Sequence, residues 1–184
     1  MTDESAHQPE SGDDQAAQQP PAQSQPSGAG APADVATRFV ARLIDGILLG
    51  VVYSALIVPF IVGAMFADVG GFGMFGGFGG GAFVSSIFWA VIGIGYFALM
   101  EANQGQTVGK MIMGLRVEGP DGGKASLEQT VKRNGWMALG IIPILGGLAQ
   151  LAVAIYIAVT ISNSITNTGW HDEFAGGTKV IRTK

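Results

Sequence analysis

Apolar positions in this chain are gathered into long uncharged runs, and the polar positions into three blocks that separate them. From Leu43 to Ala67 the only charge is Asp45, and residues 82–100, AFVSSIFWAVIGIGYFALM, carry none before Glu101. A bilayer core of about 30 Å takes about 20 apolar residues at ~1.5 Å each. Both runs therefore predict transmembrane helices. The first has Asp34 as a ready N-cap and Pro59 as a site of bending. The second closes at Glu101, where a helix is expected to meet water. A third apolar stretch, Trp136 to Ile161, is interrupted by Pro143 and Gly146–Gly147. It reads in two ways. One is a single tilted, kinked span. The other is a hairpin of two short helices, starting at Leu127 behind the capping box of Ser126 and Gln129 and breaking near Gly146.

The polar blocks differ in kind. Residues 1–33 are rich in Gln, Pro, Ser, Ala and acid, with no Leu, Ile, Val or aromatic side chain. Such a segment cannot bury enough apolar area to offset its ordering entropy, which predicts a disordered tail. Its acidic start also lacks the basic opening and short apolar core of a secretory signal. Residues 68–81, DVGGFGMFGGFGGG, are too glycine-rich to favour a helix. They read as a connection beyond the far side of the membrane or as a loop dipping into it through Phe72, Phe75 and Phe78. In residues 102–135, Met111–Val117 fits a short strand or an interfacial segment, and Pro120–Gly123 a turn. The expected fold class is an all-α, polytopic helical bundle in the membrane, occupying residues 34–184 behind a disordered tail.

Composition supports this picture: 48% of the 184 residues are hydrophobic and 13% charged, where a soluble domain carries about 25% charged residues. The absence of cysteine removes disulfides, thiolate metal sites and a cysteine nucleophile. Charge adds the topology. Lys and Arg flanking membrane helices favour the cytoplasm. They lie at Arg38 and Arg42, in the 102–135 loop and in the C-terminal tail, while the glycine-rich block has none. A cytoplasmic N-terminus and a cytoplasmic C-terminus together require an even number of crossings, which favours the hairpin. No clustered basic face suggests nucleic acid as a partner.

Arg38, Arg42 and Asp45 fall at i, i+4 and i+7 on one helical face that continues through Leu49 and Tyr53. Asp45 lies about 10 Å deeper than Arg38 along the helix. A lone carboxylate at that depth costs several kcal/mol, so it must be paired, protonated or turned inward, and Arg42, one turn away, is the expected partner. The stripe is either a structural lock or a cation or proton site, and the neighbouring arginine argues against the second. Gly46 and Gly50 form a GxxxG spacing that permits close helix contact. GQTVGK (105–110) departs from a phosphate-binding loop in both its spacing and the Met after Lys. His7 and His171 form no cluster with ligand spacing, and no nucleophile–base arrangement appears. The expectation is a non-enzymatic protein without metal or cofactor, whose partners are the lipid bilayer and either itself, as a homo-oligomer, or other membrane proteins.

Three separated motifs carry a resemblance. They are RFVARLID (38–45), GQTVGKMIMGLRV (105–117) followed by SLEQTVKRN (126–134), and TGWHDEFAGGTKVI (168–181). In order and spacing the chain resembles the RDD family of bacterial membrane proteins, named for an arginine and two aspartates. The resemblance implies a small multi-pass protein of the bacterial inner membrane. It makes Arg42 (or Arg38), Asp45 and Asp172 the family-motif polar residues, with Asp172 returning to the membrane face near the arginines. The family's role is poorly defined, and transport, including cation exchange, has been proposed for some members. The glycine-rich first loop departs from the family pattern. The functional expectation is membrane assembly or an accessory subunit. The alternative is an ion or small-solute transporter, which in so small a bundle requires an oligomer.

Overall fold

The structure is a computed structural model and describes residues 28–67, 78–142 and 145–184. The tail up to residue 27, the glycine-rich connection over 68–77 and Pro143 itself lie outside the described residues. Three helices are long and apolar enough to cross a membrane: α1 (Val35–Ala67), α2 (Phe78–Gln104) and α5 (Leu145–Asn163). Helix α1 is capped as its sequence predicts, with the Thr37 N–H donating to Asp34 Oδ1 at 2.7 Å, and it continues through Pro59. Along it Phe39, Leu43, Ile47 and Val51 face outward while Ala41, Asp45 and Leu49 are buried. In lipid the outward apolar side is the one without a penalty, and polar side chains turn inward. Helix α2 starts at Phe78, inside the glycine-rich block and four residues before the apolar run.

The third apolar stretch is a hairpin, with an incoming arm different from the one expected. Ser126 and Gln129 form the capping box and open α4 (Leu127–Asn134). The chain then tightens into a 3-10 helix over Gly135–Ile141 instead of continuing as one α-helix of hairpin length. Asn134 bonds Glu101 near the end of α2, whereas the Ile141 carbonyl accepts from Ser86 Oγ at 3.1 Å near its beginning. The seven 3-10 residues, at ~2.0 Å each, thus run down α2. The chain reverses at Ile142, which is extended (ψ 113°), as a residue before proline prefers. Helix α5 then returns, and the segment after it brings the Asn167 carbonyl to Arg38 at the head of α1. The return is tight: a Cβ at Gly146 would stand 2.3 Å from the Leu139 carbonyl oxygen.

Over the end of the bundle that holds Arg38 and Glu101 lies a small polar layer. It comprises α3 (Val108–Met113), β1 (Leu115–Glu118), α4, α6 (Trp170–Phe174) and β2 (Lys179–Arg182). The Met111–Val117 stretch is strand only in part: it is the end of α3 and the start of β1, separated by Gly114 in the left-handed region at φ 64°. β1 and β2 pair antiparallel, with Val117 opposite Val180. Residues 30–33, assigned to the tail by composition, lie along β2, with the Ala33 N–H donating to the Val180 carbonyl at 2.9 Å and Arg182 N–H to Ala31 at 2.8 Å. Ala33, Ala41, Leu115, Val117, Ala125 and Val180 form a compact apolar core beneath this layer.

Candidate functional site

The residues singled out from sequence all reach this same end of the bundle, but not in the pairings expected. Arg38 Nη1 bonds Asp172 Oδ2 at 2.8 Å, and its Nε donates to the Ala33 carbonyl at 3.1 Å. One arginine of α1 thereby ties together the chain entering the bundle, the α5–α6 connection and α6. Asp172 is wholly buried. It also accepts from the Gly169 N–H at 3.0 Å, which caps α6, and pairs through Oδ1 with Arg133 Nη1 at 2.8 Å. The resemblance implied this return of Asp172 to the arginines.

Asp45 is the correction. It is fully buried, yet Arg42 does not pair with it. Its oxygens accept instead from neutral groups: Tyr96 Oη at 2.8 Å, the Gly109 N–H at 2.7 Å and Thr107 Oγ1 at 2.5 Å. Thr107 is the N-cap of α3, so Asp45 receives the first turn of that helix from below. The approach requires glycine, since a Cβ at Gly109 would stand 2.0 Å from the Ala41 carbonyl oxygen. Arg42 leaves Asp45 because an aromatic and amide surface lies across from it. Its guanidinium sits 3.9 Å above the Phe97 ring, and Nη1 donates to Asn134 Oδ1 at 2.9 Å.

Sequence reasoning missed half of the network. Glu101 does not meet water; it is 0% exposed and bonded to Lys110 Nζ. Asn134 Nδ2 donates to Glu101 at 3.1 Å, and Arg133 Nε lies 3.7 Å from the same carboxylate. The available signal was in SLEQTVKRN. Thr130, Arg133 and Asn134 share one helical face by i, i+3, i+4 spacing, and that face is buried, whereas Lys132 makes an exposed pair with Glu128. Among the described residues nothing lies within 4 Å of a Cβ at Gly46 or Gly50, so the GxxxG spacing brings no described helix close.

The electrostatics of the groups outside the spans follow from this crowding. Burial alone would raise the Asp172 carboxyl, but Arg133 foremost, with Arg38 and the Gly169 N–H, holds it well below the usual carboxylate range. Burial pushes the His171 imidazole down to about 3, with Arg133, Arg42 and Arg38 adding to the effect and Asp172 opposing it. Burial likewise pushes the Lys110 ammonium down to about 8 against the pull of Glu101. At neutral pH, then, His171 is uncharged and Lys110 is charged. Among the described residues no group of His, Asp or Glu has metal-site geometry.

Long apolar helices carrying a buried network of arginines and carboxylates at one end define a polytopic helical membrane protein. The chain matches the RDD family over residues 32–176 and belongs to it. No curated protein and no solved structure matches it.

Proposed function

We propose that this chain acts by assembly: it is a non-enzymatic accessory subunit of the bacterial inner membrane, working with other membrane proteins or with copies of itself. The observation that carries the reading is the state of Asp45. Its two oxygens are occupied by three neutral donors, two from the start of α3 and one from α2, that fix both onto α1. A cation-transport carboxylate needs free lone pairs facing a path, and here they hold a helix cap. The companion loop is spent in the same way. Gly105 turns in the left-handed region (φ 72°), Gln106 bonds the Leu115 carbonyl, Lys110 bonds Glu101, and Gly114 closes α3.

The polar layer faces the cytoplasm in this reading. All ten Lys and Arg residues belong to the head of α1 or to the segments over that end of the bundle, which is where basic residues collect in inner-membrane proteins. The test is the mass and composition of the complex extracted gently from native membranes. A stoichiometric complex with other membrane proteins, or a defined homo-oligomer silent in flux assays, is the expected result. A particle that carries a sodium or proton flux abolished by Asp45→Asn would overturn the reading in favour of transport.

A further inference from the structure

A cavity of about 210 Å³ opens between α1 and α5, and its floor is made by Arg38, Arg42, Lys110 and Arg133. No carboxylate lines it. Three of these cations are ion-paired, Lys110 with Glu101, Arg38 with Asp172 and Arg133 with both carboxylates. Among the described residues Arg42 is the one of the four without an ion-pair contact, its guanidinium lying over the Phe97 ring. Its donors go to the Asn134 amide oxygen and, at 3.2 Å, to Met137 Sδ. One further buried nitrogen on a lining residue, Arg133 Nε, has no hydrogen-bond partner; the nearest carboxylate oxygen, on Glu101, is 3.7 Å away. A buried cation without a counter-charge is costly, and a guanidinium is suited to a planar or tetrahedral oxyanion.

The walls are apolar. Phe39 of α1, at 64% exposure, stands at the outer edge. On α5, Ala154 and Ala158, one turn apart, leave the room. The space is smaller than the ~300–1,000 Å³ that encloses a whole drug-sized ligand, so it suits a headgroup whose apolar remainder stays outside. We propose that this slot binds one anionic phospholipid drawn sideways from the bilayer, its phosphate seated at Arg42 within the cationic floor and its acyl chains leaving between α1 and α5. Charge complementarity decides the occupant: a zwitterionic lipid brings its own cation to a floor that already carries four and no lining carboxylate.

The experiment is native mass spectrometry of the full chain in mild detergent, titrated separately with phosphatidylglycerol, phosphatidylcholine and inorganic phosphate. One phosphatidylglycerol per chain should be retained at least about tenfold (about 1.4 kcal/mol) more strongly than phosphatidylcholine, whose phosphate is the same but whose choline cation is repelled by the basic floor. Arg42→Gln should abolish the preference. Because that variant could also fail to fold, Ala158→Phe serves beside it: it fills the slot without touching a charge and should lower retention of phosphatidylglycerol while helix content is unchanged. Equal retention of the two lipids overturns the proposal, as does preference unchanged in well-folded Ala158→Phe. Saturable inorganic phosphate binding without lipid retention also overturns it, making a soluble anion the occupant.

Discussion

At the polar end of the bundle α1 meets its neighbours through charged groups, a glycine contact and a helix cap; at the opposite end it meets α2 through Tyr53. There the phenol donates to the Ser85 carbonyl at 2.9 Å and its ring stands edge-on to Trp89, with centroids 5.1 Å apart. Much of the rest of α1's flank is apolar and open to the surroundings. The two ends illustrate different demands. In lipid an apolar flank gains nothing by choosing one neighbour over another, so the far end needs only a few anchors. The polar end must place Glu101, Arg133 and Asp172 out of water, and each ion is tolerable only with its partners in position. The polar end therefore specifies the arrangement, and the apolar flanks hold it in the membrane.

The widest test of this contrast is removal of a central carboxylate. Asp172→Ala leaves Arg38 and Arg133 buried without their shared partner and should cost about 3–5 kcal/mol, read as loss of folded protein in detergent unfolding. Next is Gly109→Ala, which must displace the Ala41 carbonyl and with it the seat of Asp45; overpacking of this kind costs about 1–3 kcal/mol, measured by the same unfolding curve. Acid should act on the polar end as well. His171 has a folded value of about 3, below its ordinary ~6.5, so its contribution is complete above pH ~6.5 and is lost as pH falls toward 3. The expected slope is about 1.4 kcal/mol per pH unit, and His171→Gln should flatten it. The smallest effect belongs to the far end: Tyr53→Phe removes one hydrogen bond, worth about 0.6 kcal/mol on average between membrane helices, and the unfolding midpoint should scarcely move.

The same contrast explains what could be read in advance. The spans of α1 and α2, the Asp34 cap and the Ser126 capping box depend on neighbours in sequence, and they are legible there. Arg42 and Asp45 read as a pair because adjacency along a helix is visible, whereas Phe97 and Asn134 reach Arg42 only across the fold. Glu101 reads as a helix end meeting water for the same reason: its partners Arg133 and Asn134 lie in another helix. The four-residue β2 had no periodicity to announce it, and it exists through its pairing with β1. Local signals revealed the membrane elements, and the network joining them was left to tertiary structure.

The central claim, that the motif residues act as one structural lock, is tested most directly by a double-mutant cycle between Arg38 and Asp172, using Arg38→Gln, Asp172→Asn and the pair. The two side chains touch at 2.8 Å with Asp172 fully buried. A lock predicts that the double variant is destabilised less than the sum of the singles, by at least about 1 kcal/mol of coupling. Additivity within about 0.5 kcal/mol would contradict it, because the two residues would then act independently of the contact that joins them.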